Sequence, residues 1–245
     1  MRYLFKMSYD GSNYFGYQRQ NGLETIQEKL EDALQIINDG KKTAIVSTGR
    51  TDKGVHALSQ YAHADIDVAI TEHKLKRAMN SNLPNDIHII SVKEVSDNFH
   101  ARYNVKSKEY RYYINLGEYN PIERNYVFQY NYKLNIEKMN EAIKYLEGEH
   151  DFRAFVTENK DKDNCIRKIE KATIKKLNND KIVFIFKGNG FLRYQVRNMI
   201  GILIRVGEEK IEPIMVKEIL DSKDRTKNGK TAPAEGLYLT KVTYK

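Results

Sequence analysis

Thr43-Ala44-Ile45-Val46-Ser47-Thr48-Gly49-Arg50-Thr51-Asp52-Lys53-Gly54-Val55-His56-Ala57 passes from a predicted strand, Thr43 to Thr48, into a loop with glycine at two positions. Glycine lets a backbone turn sharply and leaves room for a substrate. The loop sets one carboxylate, Asp52, between two cations, Arg50 and Lys53. A cation within a few ångströms lowers a carboxyl pKa by roughly 1 to 3 units, so Asp52 is expected to stay ionised at neutral pH. Asp52 is therefore a candidate catalytic group. The letters Asp-Lys-Gly also make an ordinary turn, because Asp accepts a hydrogen bond from a nearby backbone N–H and Gly tolerates positive φ. The loop alone leaves both readings open.

Upstream, Tyr3, Phe5, Met7 and Tyr9 share one face of a predicted strand that Asp10-Gly11-Ser12-Asn13 ends. Tyr14-Phe15-Gly16-Tyr17-Gln18-Arg19-Gln20 then shows no packing period, and reads equally as an RNA-facing loop or an aromatic plug over the core. Thr25-Ile26-Gln27-Glu28 has the capping-box pattern, Ile26, Leu30, Ala33, Leu34 and Ile37 share a helical face, and Gly40 stops the helix. Downstream, the pattern predicts a strand over Ser59 to Val68, a helix over Glu72 to Asn82 broken by Pro84, and a strand over Ile87 to Val95. The first hundred residues thus read β, α, β, β, α, β, as in a ferredoxin-like sheet covered by helices on one face.

The second half repeats the theme. It has a strand over Ser107 to Leu116, a helix over Asn135 to Leu146 ending at Gly148, and a hairpin of Lys168 to Leu177 and Lys181 to Lys187 around Asn178-Asn179-Asp180. An apolar helix over Phe191 to Val206, a short helix from Pro213 to Leu220 and a closing strand over Gly236 to Tyr244 complete it. The expected fold class is α+β, with two ferredoxin-like halves, 1–104 and 105–245, forming a continuous mixed, mainly antiparallel sheet flanked by helices.

Of 245 residues, 40% are hydrophobic and 30% charged, enough for one substantial core or two modest ones. Lys and Arg outnumber Asp and Glu by 41 to 33, a formal charge of +8, so a polyanion is the expected large partner. With 17 Tyr and 9 Phe, many rings are on hand for base stacking, although most must be core. Cys165 is the only cysteine and the six histidines show no metal-binding spacing, so neither disulfide nor metal is expected. No apolar run reaches about 18 residues and the start reads as a strand rather than a leader, so a cytoplasmic protein without membrane attachment is expected.

Spacing dismisses several chemistries. Asn228-Gly229-Lys230-Thr231 resembles the end of a phosphate-binding loop, but Asp224 stands where its first glycine belongs. Gly188-Asn189-Gly190 is a fragment of a dinucleotide fingerprint with no acidic residue placed for a ribose. A lone cysteine excludes zinc-dependent base deaminases. What remains is a carboxylate in a basic, aromatic protein, a group able to act on a sugar or base that flips out to it.

Gly49 to Ala57 resembles the active-site motif of the TruA-type tRNA pseudouridine synthases. Tyr9-Asp10-Gly11 with Phe15-Gly16-Tyr17-Gln18-Arg19-Gln20 is similar to the family's N-terminal signature, and Leu83-Pro84-Asn85-Asp86-Ile87 with Phe99-His100-Ala101-Arg102-Tyr103 to its middle segments. Lys108-Glu109-Tyr110-Arg111-Tyr112, Phe191-Leu192 with Val196-Arg197-Asn198-Met199-Ile200-Gly201, and Thr231-Ala232-Pro233-Ala234-Glu235-Gly236-Leu237-Tyr238-Leu239 resemble its later blocks. The resemblance implies a cofactor-free isomerase that converts uridine to pseudouridine in the anticodon stem-loop of tRNA, at positions thirty-eight to forty, and acts as a homodimer. It implies Asp52 as the catalytic carboxylate, Tyr110 stacked on the uracil, Arg197 paired with Asp52, Arg50 on the RNA and Leu237 lining the pocket. Gln195 departs from the pattern, which has methionine there, and bears on local packing or a hydrogen bond. Two other readings stay open: an RNA-binding module without chemistry, and the same chemistry on another RNA such as ribosomal RNA.

Overall fold

The computed structural model describes residues 1–156, 164–178 and 180–245. They form two compact units, 1–106 with 238–245, and 107–237.

The first unit begins with β1 (Arg2–Tyr9), whose Tyr3, Phe5, Met7 and Tyr9 are buried as the alternation predicts. Helix α1 (Ile26–Ile37) starts at Thr25, whose side chain accepts the Glu28 N–H at 3.3 Å, and buries Ile26, Leu30, Ala33 and Leu34. Past its end the Gly40 N–H returns to the Gln35 carbonyl at 2.8 Å. The strand expected from Thr43 to Thr48 contracts to β2 (Val46–Ser47). Before it, the Ile45 N–H goes to the Glu31 carboxylate and the Thr43 hydroxyl meets the Asn38 amide, so these residues bond side chains instead of a ladder. Next come β3 (His56–Asp65), α2 (Glu72–Asn82) and β4 (Ile87–Val95).

Strand β1 lies between β4 and β3, antiparallel to both, with Phe5 opposite Ala62 and Val92. The β1–β3 register shifts between Met7, opposite Gln60, and Tyr9, opposite Ala57. Such a bulge re-aims side chains and bends a strand end, and here it falls where β3 leaves the Asp52 loop. Strand β3 is buried on both faces over most of its length, so the single-faced alternation expected from Ser59 to Val68 does not hold.

The second unit contains β5 (Val105–Asn115), β6 (Phe128–Gln129), α3 (Ile136–Lys144), β7 (Gly148–Asp151), β8 (Ile166–Lys176), β9 (Lys181–Gly188), α4 (Gln195–Gly207) and α5 (Met215–Ser222). Its sheet runs β5-β9-β8-β7 with antiparallel neighbours, and β6 adds a short parallel pairing to β5. The hairpin expected between Lys168 and Lys187 forms; Asn179 of its turn lies outside the described residues, and Asn178 Oδ1 accepts the N–H groups of Asp180 and Lys181. The apolar helix starts at Gln195, not Phe191, because Tyr194 takes φ +61° and interrupts the helical path. Eleven of its 13 residues are buried, all but Arg197 and Arg205.

The last strand, β10 (Leu237–Tyr244), pairs in parallel with β3 through Tyr238 opposite His56 and Leu239 opposite Ala57. Residues 238–245 accordingly pack with the first unit, whereas a division at 104 assigns them to the second half. Among the described residues no helix is long and apolar enough to cross a membrane.

Candidate active site

Three carbonyls around Asp52 have donors. Upstream, the Gly49 carbonyl accepts from Gln60 Nε2 at 2.9 Å and Ser47 Oγ at 3.2 Å. The Thr51 carbonyl accepts the Tyr17 N–H at 3.0 Å, while the Thr51 hydroxyl lies 2.8 Å from the Tyr9 hydroxyl. The Asp52 carbonyl accepts the Val55 N–H at 3.1 Å, which closes the turn that Gly54 completes at φ +76°. A turn is therefore present, closed through the main-chain carbonyl of Asp52. Thr51 and Val55 are buried, Asp52 is half-buried, and Arg50 and Lys53 are exposed.

The floor beneath this turn is Gly16. It has φ +97°, and a Cβ there would come within 2.8 Å of the Thr51 carbonyl oxygen, so only glycine lets the two segments approach this closely. The aromatic segment around it is divided between core and surface. Tyr14 and Tyr17 are buried, Tyr14 donating to Asp86 at 2.5 Å, while Phe15, Gln18, Arg19 and Gln20 face outward. Lys53 Nζ lies 4.0 Å from the Phe15 ring centre, a cation–π contact between the loop and this segment. Arg19 is tied to Glu31 at 2.8 Å.

His56, in the same motif, is buried, and its ring stacks on Tyr238 with centres 4.6 Å apart. Its Nδ1 is 3.1 Å from both the Gly11 N–H and Asp10 Oδ1. A backbone N–H can only donate, so the ring accepts at Nδ1 and carries its proton on Nε2; the Asp10 contact is then not an ion pair. His56 thus fastens the end of β1 to the loop.

In the second unit, Tyr110 on β5 is 8% exposed and meets Phe191 edge-to-face at 5.1 Å, whereas Tyr112 on the same face is fully buried with its hydroxyl on the Pro233 carbonyl at 2.9 Å. Arg197, on the first turn of α4, donates from Nε to the Ala232 carbonyl at 2.7 Å, and the Ala232 N–H returns to the Arg197 carbonyl at 3.1 Å. Its guanidinium lies 5.3 Å from the Tyr194 ring centre. Leu237 is buried at the start of β10. Gln195 is fully buried; its Oε1 accepts the Leu192 N–H at 2.8 Å and its Nε2 has no partner among the described residues, so the glutamine acts as a cap at the start of α4.

Sequence reasoning missed two groups. Gln60 holds the loop's entrance from inside a strand, where its letter signalled nothing. Burial raises the carboxyl pKa of Glu235, with Arg197 opposing, which places an unforeseen acid in the electrostatic field of that arginine.

The profile of a family described as tRNA pseudouridine synthase matches residues 7–104 and 142–245. The chain belongs to the tRNA pseudouridine synthase family. It is an isomerase acting on uridine in tRNA. Asp52 and Arg50 fall in the first matched stretch, Arg197 and Leu237 in the second, and Tyr110 between the two. Among relatives named tRNA pseudouridine synthase A, the Streptococcus pyogenes protein is 42% identical over 100% of this chain and 99% of its own. The Geobacillus protein is 41% identical over 97% of this chain and 96% of its own. A solved Cbf5-Nop10-Gar1 complex is matched at 13% identity and a TM-score of 0.39, over 83% of this chain and 45% of that chain, a likeness too distant to bear on the chemistry.

Proposed function

We propose that this synthase isomerises uridine in the anticodon stem-loop of tRNA, at positions thirty-eight to forty, with Asp52 as the catalytic carboxylate and no cofactor. One observation carries the reading: the backbone on both sides of Asp52 is tied down by hydrogen bonds, and this half-buried residue is flanked in sequence by two exposed cations. A held carboxylate can attack as a nucleophile or accept a proton without first being ordered.

The reaction breaks the bond from uracil N1 to the ribose, turns the ring, and joins C5 to the same ribose carbon. C5 loses a proton and N1 gains one, so nothing is consumed. The target base must leave its stack, at a cost of a few kcal/mol that ring stacking and phosphate contacts offset. On this reading Tyr110 stacks on the flipped uracil, Arg197 pairs with Asp52, Arg50 contacts the RNA and Leu237 lines the base pocket. Two copies of the chain carry one tRNA across both, in the cytoplasm.

The test is purified protein on unmodified tRNA and on ribosomal RNA, with pseudouridine mapped by position and mass in solution measured by light scattering. Product at the three stem-loop positions of tRNA and the mass of two chains are expected. Binding without product supports a bare RNA-binding module, and product confined to ribosomal RNA moves the substrate.

A further inference from the structure

We infer that Gln60 is a positioning residue for the reaction, acting through the backbone that carries Asp52. The inference rests on Asp52 being the catalytic group. Gln60 is fully buried on β3, opposite Met7 and beside the register shift that brings Tyr9 opposite Ala57. Cross-strand partners share a face, so Gln60 lies on the face of β1 that ends in Tyr9.

The amide is engaged at both ends. Nε2 donates to the Gly49 carbonyl at 2.9 Å. Oε1 accepts the Tyr61 N–H at 3.1 Å and lies 2.7 Å from the Thr48 hydroxyl, whose single proton it shares with the Tyr61 carbonyl, also at 2.7 Å. Gln60 also lies near enough to the Tyr9 hydroxyl to lower its pKa, against the larger upward push of burial. Tyr9 in turn holds the Thr51 hydroxyl. One side chain therefore joins residues 48 and 49, and Tyr9 beside it holds Thr51, while Arg50 is exposed.

A buried amide that only filled space would be replaced without loss by an apolar side chain of similar volume, since burying an amide is costly unless it is paired. One bonded at both ends rigidifies what it touches. Here it holds the Gly49 carbonyl, three residues before the catalytic carboxylate, from a strand, which is the more rigid support for a site. Without it, Gly49 to Thr51 can rotate and the carboxylate loses its aim while the outer, RNA-contacting surface is unchanged.

The experiment is single-turnover kinetics on tRNA with Gln60→Leu, Thr48→Val and Gln60→Glu, alongside tRNA binding and thermal melting. Gln60→Leu is expected to lower the rate of the chemical step by about 100-fold, the effect of misplacing a reacting group by about 1 Å, with tRNA Kd within about twofold of the parent. Thr48→Val, which removes a single hydroxyl, should show the same split to a smaller degree and decides the matter if Gln60→Leu does not fold. Gln60→Glu supplies a signature that mere stability does not: burial raises the pKa of the introduced carboxyl, and once protonated it can donate to Gly49 as the amide did. In the folded Gln60→Glu variant the chemical rate should therefore climb as pH falls from about 8 to about 6, relative to the parent. A folded Gln60→Leu or Thr48→Val variant with parental rate, or a Gln60→Glu profile parallel to the parent's, overturns the inference. Asp52→Asn run in parallel separates the failures: an active Asp52→Asn removes the catalytic assignment itself, while an inactive one beside an active Gln60→Leu removes only the clamp.

Discussion

Tyr9 and Tyr17 lie with ring centres 6.4 Å apart under the Asp52 loop, and both are buried, but their hydroxyls differ. The Tyr9 hydroxyl meets Thr51 and has its pKa pushed up to about 12 by burial. The Tyr17 hydroxyl has no partner within hydrogen-bond distance among the described residues; Ser47 acts on it only enough to lower its pKa slightly against the larger upward push of burial. Removing a bonded hydroxyl leaves its partner unsatisfied, whereas removing an unbonded one removes a penalty. Tyr9→Phe should therefore cost about 1 kcal/mol in a denaturation series, and Tyr17→Phe should be neutral or stabilising. Equal losses from both would mean the two hydroxyls are bonded alike.

At the same scale, His63 is buried, accepts the Ala101 N–H at Nδ1 and packs edge-on to His100. Burial lowers its pKa to about 4, helped by Arg2 and His100 and opposed by Asp65. A histidine kept neutral in the fold adds stability that is fully present above its ordinary value of 6.5 and is lost as pH falls toward about 4. Stability from urea unfolding should rise with pH across that window, and His63→Gln should flatten the rise. An unchanged slope in that variant would place the proton elsewhere. Asp52 and Arg197 were legible as residues because motif letters mark them; Gln60 was not. A polar letter in an alternating strand reads as outward, and only the register shift and the burial of β3 on both faces turn it inward.

Among elements, helix α4 shows how close packing sets a limit. A Cβ on Gly201 would come within 2.0 Å of the Lys230 carbonyl oxygen, so the segment crossing α4 there needs a residue without a side chain. Gly201→Ala raises helix propensity but forces the crossing apart, at a cost of about 1 to 3 kcal/mol. The variant should melt earlier, and because Arg197 holds Ala232 across the same crossing, tRNA turnover should fall with it. A melting temperature equal to or above the parent's would contradict the packing. Elements with cap signals were legible: Thr25 caps its helix as its letters predict, whereas Asn135, read as the first residue of its helix, is its cap. β7 was missed, since Gly148–Asp151 is short and polar and becomes a strand only by pairing with β8. The start of α4 was placed too early because Phe191 and Leu192 continue the apolar run; Tyr194 at positive φ breaks it, and no periodicity reports that.

The whole molecule carries +8, and its tRNA affinity should fall steeply with salt, since each neutralised phosphate releases counterions. That electrostatic term belongs to binding and not to bond breaking. The two can therefore be separated in one variant: Asp52→Asn keeps the size of the side chain and removes the carboxylate proposed to attack or take a proton. The deciding measurement is pseudouridine formation by Asp52→Asn under single-turnover conditions with tRNA fully bound. No detectable product with tRNA affinity and its salt dependence like the parent's is the predicted result; turnover within about tenfold of the parent, a difference of only about 1.4 kcal/mol in the barrier, would contradict it.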